Sequence, residues 1–490
     1  MTRVRLTPEW VARVVGGRLI DGEAGREVGE VVIDSRAAGP GDLFVAIKGP
    51  RFDGHDFVAD VLARGAAAAI VEEARLRQPV HRSLGEGGGS GGARRRVESA
   101  DAARPAGALI AVGDTVKALQ DLAHAVRMAS GTRVIAITGS AGKTTTKETI
   151  AAFLERRTTV VKNKGNLNNH IGLPLSLMQV RTAPDVAVME LGMNHAGEIS
   201  ALVAIAEPDV RVWTNVGDAH LGFFASPDAI ADAKAEILER ASASTVLVCN
   251  ADDPRVMARA RGFAGRTITF GVSEPADVRA VSVDDRGLSG VRARVTTPSG
   301  EVVLDSPLLG RGNLSNLLAA TAVAIDSGIA LGDIAEAATH LRPAARRGAV
   351  LRLRNGVTVV DDSYNSSPSA LATALGVIKS ESGSTRKIAV LGEMLELGDH
   401  STRLHAESGR LAAHSGLSHL YAIGGPPAQA MAAAAIEAGM PAAVVTWFAS
   451  SEQAAPVIAG AVQHGDLVLV KGSRGIRTDV VADRITAEFA

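Results

Sequence analysis

The feature that most constrains this chain is an apolar strand that runs through a glycine-rich turn into a helix. The strand VIAIT (134–138) is followed by GSAGKTTT (139–146) and then by the helical segment KETIAAFLERR (147–157). Such a turn directs successive backbone N–H groups toward one point, at the positive end of the helix macrodipole. We therefore predict that it binds the polyphosphate of ATP or GTP.

Individual residues of this loop have separate expected roles. Lys143 would reach the β- and γ-phosphates, and the Thr144 hydroxyl would ligate Mg²⁺. The strict phosphate-loop pattern has a glycine six residues before the lysine, where this chain has Ile137, so a glycine turn that only caps a helix is the alternative. The order of strand, turn, Lys-Thr and helix favours a nucleotide site, whose loop residues would be Gly139, Ser140, Ala141, Gly142, Lys143, Thr144 and Thr145.

Length and composition limit the other possibilities. With 490 residues, 46% of them apolar, the chain has material for about three domains. A net charge of -1 and few aromatic residues argue against a nucleic-acid-binding surface. Cys249 is the only cysteine, and the sequence contains neither a signal peptide nor an apolar run near 18 residues. We expect a cytoplasmic protein without membrane insertion.

Strand and helix patterns alternate along most of the chain, which predicts an α/β protein with mostly parallel sheets. We place a small N-terminal α/β domain at 1–113, with a flexible insertion at 84–107 that is rich in glycine and charge. A central parallel-sheet domain with the phosphate loop would span 114–346. A doubly wound C-terminal domain would span 347–490.

Metal ligands are expected at the carboxyl ends of neighbouring strands. Glu190 follows the strand VAVM, and His220 closes TNVGDAH. Glu190 would suit Mg²⁺, although it could instead cap a helix and the histidine could be structural.

Lys234 occupies an unusual position in the segment DAIADAKAEILERA, which begins with the helix start Ser226-Pro227. It falls at helical spacing with Ile230 and Ile237, inside the apolar stripe. Burial would lower its pKa toward a neutral amine, whereas a side chain that snorkels to the helix edge is the simpler alternative.

Taken together, the motifs resemble the Mur ligase family over nearly the whole chain. The central motifs occur in that family's order: TGSAGKTT (138–145), GNLNNHIGLP (165–174), MELGMNH (189–195), TNVGDAH (214–220) and AKAEI (233–237). The family's own short form of the phosphate loop accounts for Ile137. The segments DSRAAGPGDLFVAIKGPRFDGHDF (34–57), DDSYNSSP (361–368), LGEMLELG (391–398) and VKGSRG (470–475) resemble its dipeptide-adding branch.

This resemblance implies ATP-dependent ligation of D-alanyl-D-alanine to UDP-MurNAc-tripeptide through an acyl phosphate, a step of peptidoglycan synthesis. It implies two Mg²⁺ sites, the second held by Glu190, His220 and a carbamylated Lys234. The expected partners are the two substrates, and a monomer is expected. Another amide ligase of the same architecture, acting on a folate or an earlier muropeptide, is the alternative, and a nucleotide-dependent switch protein is a more distant one.

The remaining site residues are carried over by motif. Asn316 and Asp253 match adenine and ribose contacts, and Arg347 matches an arginine that the C-terminal domain brings to the nucleotide. Asn169 and His195 are catalytic candidates, with a structural role equally open for His195. The substrate-binding candidates are Ser35, Arg36, Lys48 and His55 at the UDP end and Asp362, Tyr364, Asn365, Lys471 and Arg474 at the dipeptide end. Two departures are Gly312, where the family has histidine, and PAARRG (343–348), where we choose Arg347 over Arg346.

Overall fold

The computed structural model describes residues 2–76, 107–219, 221–381, 383 and 386–490. Two of our predictions fall outside the described residues, namely the metal ligand His220 and, except for Gly107, the insertion at 84–107. Strands in the described ranges form three sheets, each accompanied by helices, so the expected α/β class is confirmed. In these same ranges, no helix combines the length and apolar character needed to cross a bilayer.

The first sheet is built by the N-terminal part of the chain. Its strand order is β1-β5-β4-β3-β2, in which only the β1–β5 pair is antiparallel. The strands are β1 (Arg18–Asp21), β2 (Val31–Val32), β3 (Leu43–Val45), β4 (Ala68–Glu72) and β5 (Ala108–Val112). The accompanying helices are α1 (Pro8–Val14), α2 (Val58–Ala63) and α3 (Glu73–Leu76).

The central sheet has the order β14-β13-β12-β11-β10-β9-β6-β8-β7, parallel from β7 to β12. Its strands are β6 (Arg133–Thr138), β7 (Val160–Lys162), β8 (Val186–Glu190), β9 (Val210–Trp213), β10 (Val246–Asn250), β11 (Arg266–Gly271), β12 (Val278–Asp285), β13 (Val291–Thr297) and β14 (Gly300–Ser306). The helices along this part of the chain are α4 (Thr115–Ser130), α5 (Lys143–Leu154), α6 (Gly172–Leu177), α7 (Glu198–Ala206), α8 (Pro227–Ala235), α9 (Pro254–Ala260), α10 (Gly310–Asp326) and α11 (Leu331–Thr339). Because β6 lies between β9 and β8, the segments that follow these three strands meet at one edge.

The third sheet has the order β15-β16-β20-β17-β18-β19, and only β15 is antiparallel to its neighbour. Its strands are β15 (Ala349–Arg352), β16 (Thr358–Asp362), β17 (Lys387–Gly392), β18 (His419–Ile423), β19 (Val445–Phe448) and β20 (Leu467–Lys471). Its helices are α12 (Pro368–Ser380), α13 (Ser401–Ala413), α14 (Pro426–Glu437), α15 (Ser451–Ala461) and α16 (Asp479–Phe489).

The chain divides into two compact units. The first comprises Met1–Thr132, Asn163–Asp185 and Ala204–Ala206, and the second comprises Arg133–Lys162, Val186–Val203 and Glu207–Ala490. The central and third sheets therefore belong to one unit. Helix α4, which we assigned to the central domain, groups instead with the first unit, while our domain boundaries stay a prediction.

Candidate active site

The glycine-rich loop lies between the end of β6 and the start of α5, and its two glycines are required by geometry. Gly139 has φ +151° and Gly142 has φ +83°. A Cβ on Gly139 would lie 1.9 Å from Thr214 Oγ1, and one on Gly142 would lie 2.2 Å from Asn316 Oδ1. Any side chain at either position would push the loop away from the segments that support it.

Asn215 in the motif TNVGDAH holds the first half of the loop. Its backbone oxygen accepts from the Ser140 N–H at 3.0 Å, and its Oδ1 accepts from the Ala141 N–H at 2.9 Å. The segment after β9 thus fixes the conformation of the loop after β6. Sequence reasoning did not single out Asn215, although it quoted the motif that contains it.

Lys143 begins α5 and folds back over the loop, where its Nζ donates to Gly139 O at 2.8 Å. Burial lowers the pKa of Lys143; the Glu190 carboxylate opposes that shift, and the Arg347 guanidinium adds to it. A phosphate group would give this partly buried ammonium an anionic partner, which stabilises a charge that is partly removed from water. On the same helix, Thr145 lines a cavity of about 220 Å³ together with Lys162 and Arg342.

The predicted metal side of the site contains a hydroxyl and a carboxylate in contact. Thr144 Oγ1 donates to Glu190 Oε2 at 2.7 Å, and Glu190 is buried at the end of β8. Within the described residues, no three His, Cys, Asp or Glu side chains are arranged so that they could together hold a metal ion. The oxygen ligands that this region offers are therefore Thr144 and Glu190.

Lys234 lies on α8, which begins as expected with the Ser226 cap and Pro227. Its side chain is only 1% exposed, which excludes the snorkelling alternative. Burial, with a further contribution from the Lys143 ammonium, holds the pKa of Lys234 well below its ordinary value. Burial therefore shifts Lys234 toward the neutral amine form.

Two predicted nucleotide contacts are engaged within the protein. Asn316, buried on α10, accepts from Thr146 Oγ1 at 3.2 Å and so faces the first turn of α5. Asp253 caps α9 through Oδ1, and its Oδ2 accepts from the Val216 N–H at 2.7 Å. Asp253 therefore ties the segment after β9 to the segment after β10, while its contact with ribose stays a prediction.

On the C-terminal side, the two arginines of PAARRG differ in their surroundings. Arg346 lies 2.9 Å from Asp483, 3.7 Å from Asp479 and 3.9 Å from Asp361. Arg347 instead stacks on Tyr364, with its Cζ 4.1 Å from the ring centroid. Carboxylates surround Arg346, whereas the Arg347 guanidinium contributes to the lowered pKa of Lys143. The choice of Arg347 as the nucleotide-facing residue stays a prediction.

The dipeptide-end candidates form one connected group. Arg474 Cζ lies 5.4 Å from the Tyr364 ring centroid. Lys471, which is 3% exposed, donates to Asp362 Oδ2 at 2.5 Å and to Asn365 O at 3.1 Å. The buried lysine holds the DDSYN segment in place, so Tyr364 and Arg474 are the members best placed to touch a ligand.

Asn169 and His195 have local contacts of their own. In the first unit, Asn169 Oδ1 accepts from the Ile171 and Gly172 N–H groups at 3.2 and 2.9 Å, at the start of α6. The His195 ring packs edge-on against Phe223, with ring centroids 5.1 Å apart. These contacts give both residues a positioning role, and their catalytic roles stay predictions.

Within the first unit, the four UDP-end candidates differ in the contacts that they already make with the rest of the protein. The Arg36 guanidinium forms a bidentate salt bridge with the Asp34 carboxylate. These hydrogen bonds lower the pKa of Asp34 to about 2. The buried His55 ring lies 2.6 Å from Asp53 Oδ1 and accepts from the Glu72 N–H at 3.0 Å, so both ring nitrogens are engaged. Ser35 O accepts from Arg64, and Lys48 pairs with Asp53 through the backbone. Arg36 and Lys48 keep charged heads that could contact a ligand.

The structure also brings Glu396 to this site, which sequence reasoning missed. The backbone oxygen of Glu396 accepts from the Gly222 N–H at 2.7 Å. The negative charge of the Glu396 side chain acts to raise the pKa of Lys143. The motif LGEMLELG is a family segment, but its sequence alone assigns no role to Glu396.

Comparison with known proteins agrees with this arrangement. Family models match residues 27–127 (Mur ligase family, catalytic domain), 137–324 (Mur ligase middle domain) and 346–474 (Mur ligase, glutamate ligase domain). The UDP-N-acetylmuramoyl-tripeptide--D-alanyl-D-alanine ligase of Bacillus subtilis (strain 168) is 31% identical over 99% of this chain and 100% of its own length.

Solved structures show the same likeness. A crystal structure of MurF from Acinetobacter baumannii superimposes with a TM-score of 0.84 at 30% identity, covering 99% of this chain and 100% of that one. MurF ligase from Thermotoga maritima, in complex with ADP, gives a TM-score of 0.77 at 29% identity, covering 94% and 97%. The chain therefore belongs to the Mur ligase family, within the branch whose members are named UDP-N-acetylmuramoyl-tripeptide--D-alanyl-D-alanine ligases.

Proposed function

We propose that this protein joins D-alanyl-D-alanine to UDP-MurNAc-tripeptide with ATP as the energy source, releasing ADP and phosphate. The observation that carries the proposal is the meeting of two sets of residues at Lys143. The phosphate loop with Thr144 and Glu190 comes from the central sheet, and Arg347 with Tyr364 comes from the C-terminal part. A nucleotide and an acceptor carried by different domains would meet there.

The need for ATP follows from the chemistry of amide formation. A free carboxylate has no adequate leaving group, so the terminal carboxylate of the tripeptide must first attack the γ-phosphate in line, giving an acyl phosphate and ADP. The amine of the dipeptide then attacks the acyl carbon, and phosphate leaves with the C–O bonding electrons. The repulsion between an anionic nucleophile and an anionic phosphate is what the cationic groups of the site would offset.

The described residues fit a magnesium ion beside the nucleotide. Thr144 and Glu190 are a hydroxyl and a carboxylate already in contact, which are ligands that Mg²⁺ accepts together with phosphate oxygens. When bound there, the ion would neutralise phosphate charge and polarise the γ-phosphoryl group. Lys143 would hold the β- and γ-phosphates, and Arg347 would approach from the C-terminal side.

A carbamate on Lys234 is part of the proposal, and it would contribute to a second metal site. The support is that the side chain is buried while its pKa is held low, which keeps the amine neutral and able to add carbon dioxide with loss of a proton. The modification would turn a costly buried cation into an anionic oxygen ligand. Glu190 and His220 would complete that second site.

The UDP end of the substrate would bind the first unit, where Arg36 and Lys48 suit a pyrophosphate or a carboxylate. A cytoplasmic location and a monomeric state are part of the same proposal. The partners would be the two substrates, with no nucleic acid.

One assay tests the proposed reaction directly. ADP release should require both UDP-MurNAc-tripeptide and D-alanyl-D-alanine, and the product should be the corresponding pentapeptide. Release of ADP without any acceptor amine would favour the nucleotide-switch alternative. Turnover with a folate or with an earlier muropeptide, but not with the tripeptide, would favour another amide ligase.

A further inference from the structure

Glu396 belongs to the segment LGEMLELG, which follows β17 and is held by a series of backbone hydrogen bonds. The Glu393 N–H donates to Ile423 O at 2.8 Å, the Met394 N–H donates to His405 Nε2 at 2.8 Å, and the Leu395 N–H donates to Ser473 Oγ at 2.9 Å. Three consecutive anchors leave little freedom in the chain that leads to Glu396. The position of the Glu396 backbone is therefore set by the third sheet and the segments around it.

The backbone at Glu396 is in the left-handed region, with φ +67°. This conformation is uncommon for a residue with a Cβ, and such strain persists where the surrounding structure imposes it, often at functional sites. Here the surrounding structure includes the central domain, because Glu396 O accepts from the Gly222 N–H at 2.7 Å.

Two glycines make this approach between domains possible. A Cβ on Gly222 would lie 2.7 Å from Gly398 N and 2.9 Å from Glu396 O, and a Cβ on Gly398 would lie 2.8 Å from Gly222 Cα. The two backbones are thus in direct contact just beyond β9 and β17. This contact brings the third-sheet segment within electrostatic reach of the phosphate loop.

The two carboxylates of the site, Glu190 and Glu396, have different surroundings. Glu190 accepts from Thr144 Oγ1 and lies on the metal side. Glu396 comes from the domain that also carries Tyr364 and Arg474, and its negative charge acts on Lys143 from that side. An incoming dipeptide is a zwitterion, whose ammonium group must approach the acyl phosphate through this cationic region.

We propose that Glu396 binds the α-ammonium group of the incoming amine substrate and places its nitrogen next to the activated carboxyl carbon. This inference rests on the proposed ligase function and adds a substrate-binding residue to it. A carboxylate–ammonium hydrogen bond is charge-assisted, and so it is among the stronger contacts that a single side chain can supply. Arg474 on the Tyr364 ring then suits the carboxylate end of the same dipeptide.

The test compares two nucleophiles in the Glu396→Gln variant. D-alanyl-D-alanine enters as an ammonium ion, whereas hydroxylamine is largely neutral at neutral pH and captures acyl phosphates as hydroxamates. In the variant, kcat/KM for the dipeptide should fall by roughly 10- to 100-fold, mostly through KM. The rate of ATP-dependent hydroxamate formation from UDP-MurNAc-tripeptide should stay within about twofold of the unaltered enzyme, since a neutral nucleophile has no ammonium group to lose.

Two further variants serve as controls. Asp399→Asn removes an exposed carboxylate three residues away and should change neither reaction. Gly398→Ala should reproduce the selective loss with the dipeptide, because the added Cβ would lie 2.8 Å from Gly222 Cα and would separate the two backbones from the side of the third sheet.

The remaining outcomes are decisive in different ways. An equal loss of hydroxamate and dipeptide product in Glu396→Gln would place the carboxylate on the phosphate or metal side and overturn the inference. Unchanged dipeptide kinetics would overturn it as well. If the unaltered enzyme forms no hydroxamate and no pentapeptide, the proposed function itself fails, which is a separate result.

Discussion

Thr144 Oγ1 and Glu190 Oε2 lie 2.7 Å apart although 46 residues separate them along the chain. The contact arises because β6 and β8 are parallel neighbours, so that the residues beyond their carboxyl ends meet. The hydroxyl and the carboxylate hold each other in place before any ligand is present.

Replacement of Glu190 by glutamine should leave the fold intact and abolish most of the activity. The amide keeps the size of the side chain but removes the charge that a divalent cation requires, so kcat should fall by about 100-fold or more. Steady-state ADP release against Mg²⁺ concentration measures the effect. The exposed Glu274→Gln variant should behave like the unaltered enzyme, and equal Mg²⁺ dependence in both variants would refute a metal-binding role for Glu190.

Gly142→Ala should eliminate nucleotide binding. The new Cβ would lie 2.2 Å from Asn316 Oδ1, and the residue would also be forced to keep φ +83°. Gly262→Ala is a matched control, because Gly262 has φ +81° but nothing within 4 Å of its Cβ position. That control should lose only about 1 kcal/mol of stability from backbone strain. Calorimetric titration with ADP distinguishes the two, and normal ADP affinity in Gly142→Ala would contradict the steric account.

Alanine variants of Arg346 and Arg347 should have different effects, the first mainly on stability and the second mainly on activity. Arg346→Ala leaves the buried Asp361 without a neighbouring cation and should reduce the free energy of unfolding by about 2 kcal/mol. Arg347→Ala should raise KM for ATP by roughly tenfold, through loss of a cation at the nucleotide, with little change in thermal stability. Melting curves and ATP kinetics of both variants check this assignment, and a reversed pattern would exchange the two roles.

Lys234→Ala should be nearly inactive and partly rescued by added formate or acetate, since a small carboxylate can occupy the position of a carbamate. Activity measured with and without the added carboxylates gives the answer. Full activity without any additive would rule out the carbamate.

His405 should make stability depend on pH. The completely buried ring accepts from the Met394 N–H through Nε2, and its Nδ1 lies 2.7 Å from Ser401 O, which is the pattern of a neutral imidazole. Burial lowers the pKa of His405 below its ordinary 6.5. The folded state then binds fewer protons than the unfolded state, so stability should be full above pH 6.5 and should decline as the pH falls below it, down to the lowered folded-state pKa.

Melting temperatures of the unaltered protein and of His405→Gln, measured between about pH 8 and pH 5, test this effect. The variant should be less stable at the upper end and should show a smaller decline toward the lower end. Parallel curves would show that His405 does not carry the dependence.

Much of the fold could be predicted because local pattern and burial agree. The apolar strands before Gly139 and Glu190 and the buried stripe containing Lys234 all follow from periodicity. The roles of Arg346 and Glu396 could not be predicted in this way. Arg346 meets Asp479 and Asp483, more than a hundred residues further along the chain, and Glu396 reaches Lys143 only through a glycine contact and a left-handed turn. Such pairings depend on tertiary packing, which no local spacing encodes.

The order of strands in the third sheet has a consequence for how the protein is made. Strand β20, near the end of the chain, lies between β16 and β17 and pairs with both. While the ribosome has not yet released the final segment, those two strands lack their shared neighbour and present open hydrogen-bonding edges. A nascent or prematurely terminated polypeptide that lacks residues 467–490 should therefore be a target for chaperones and proteases, even though it already contains the entire phosphate loop.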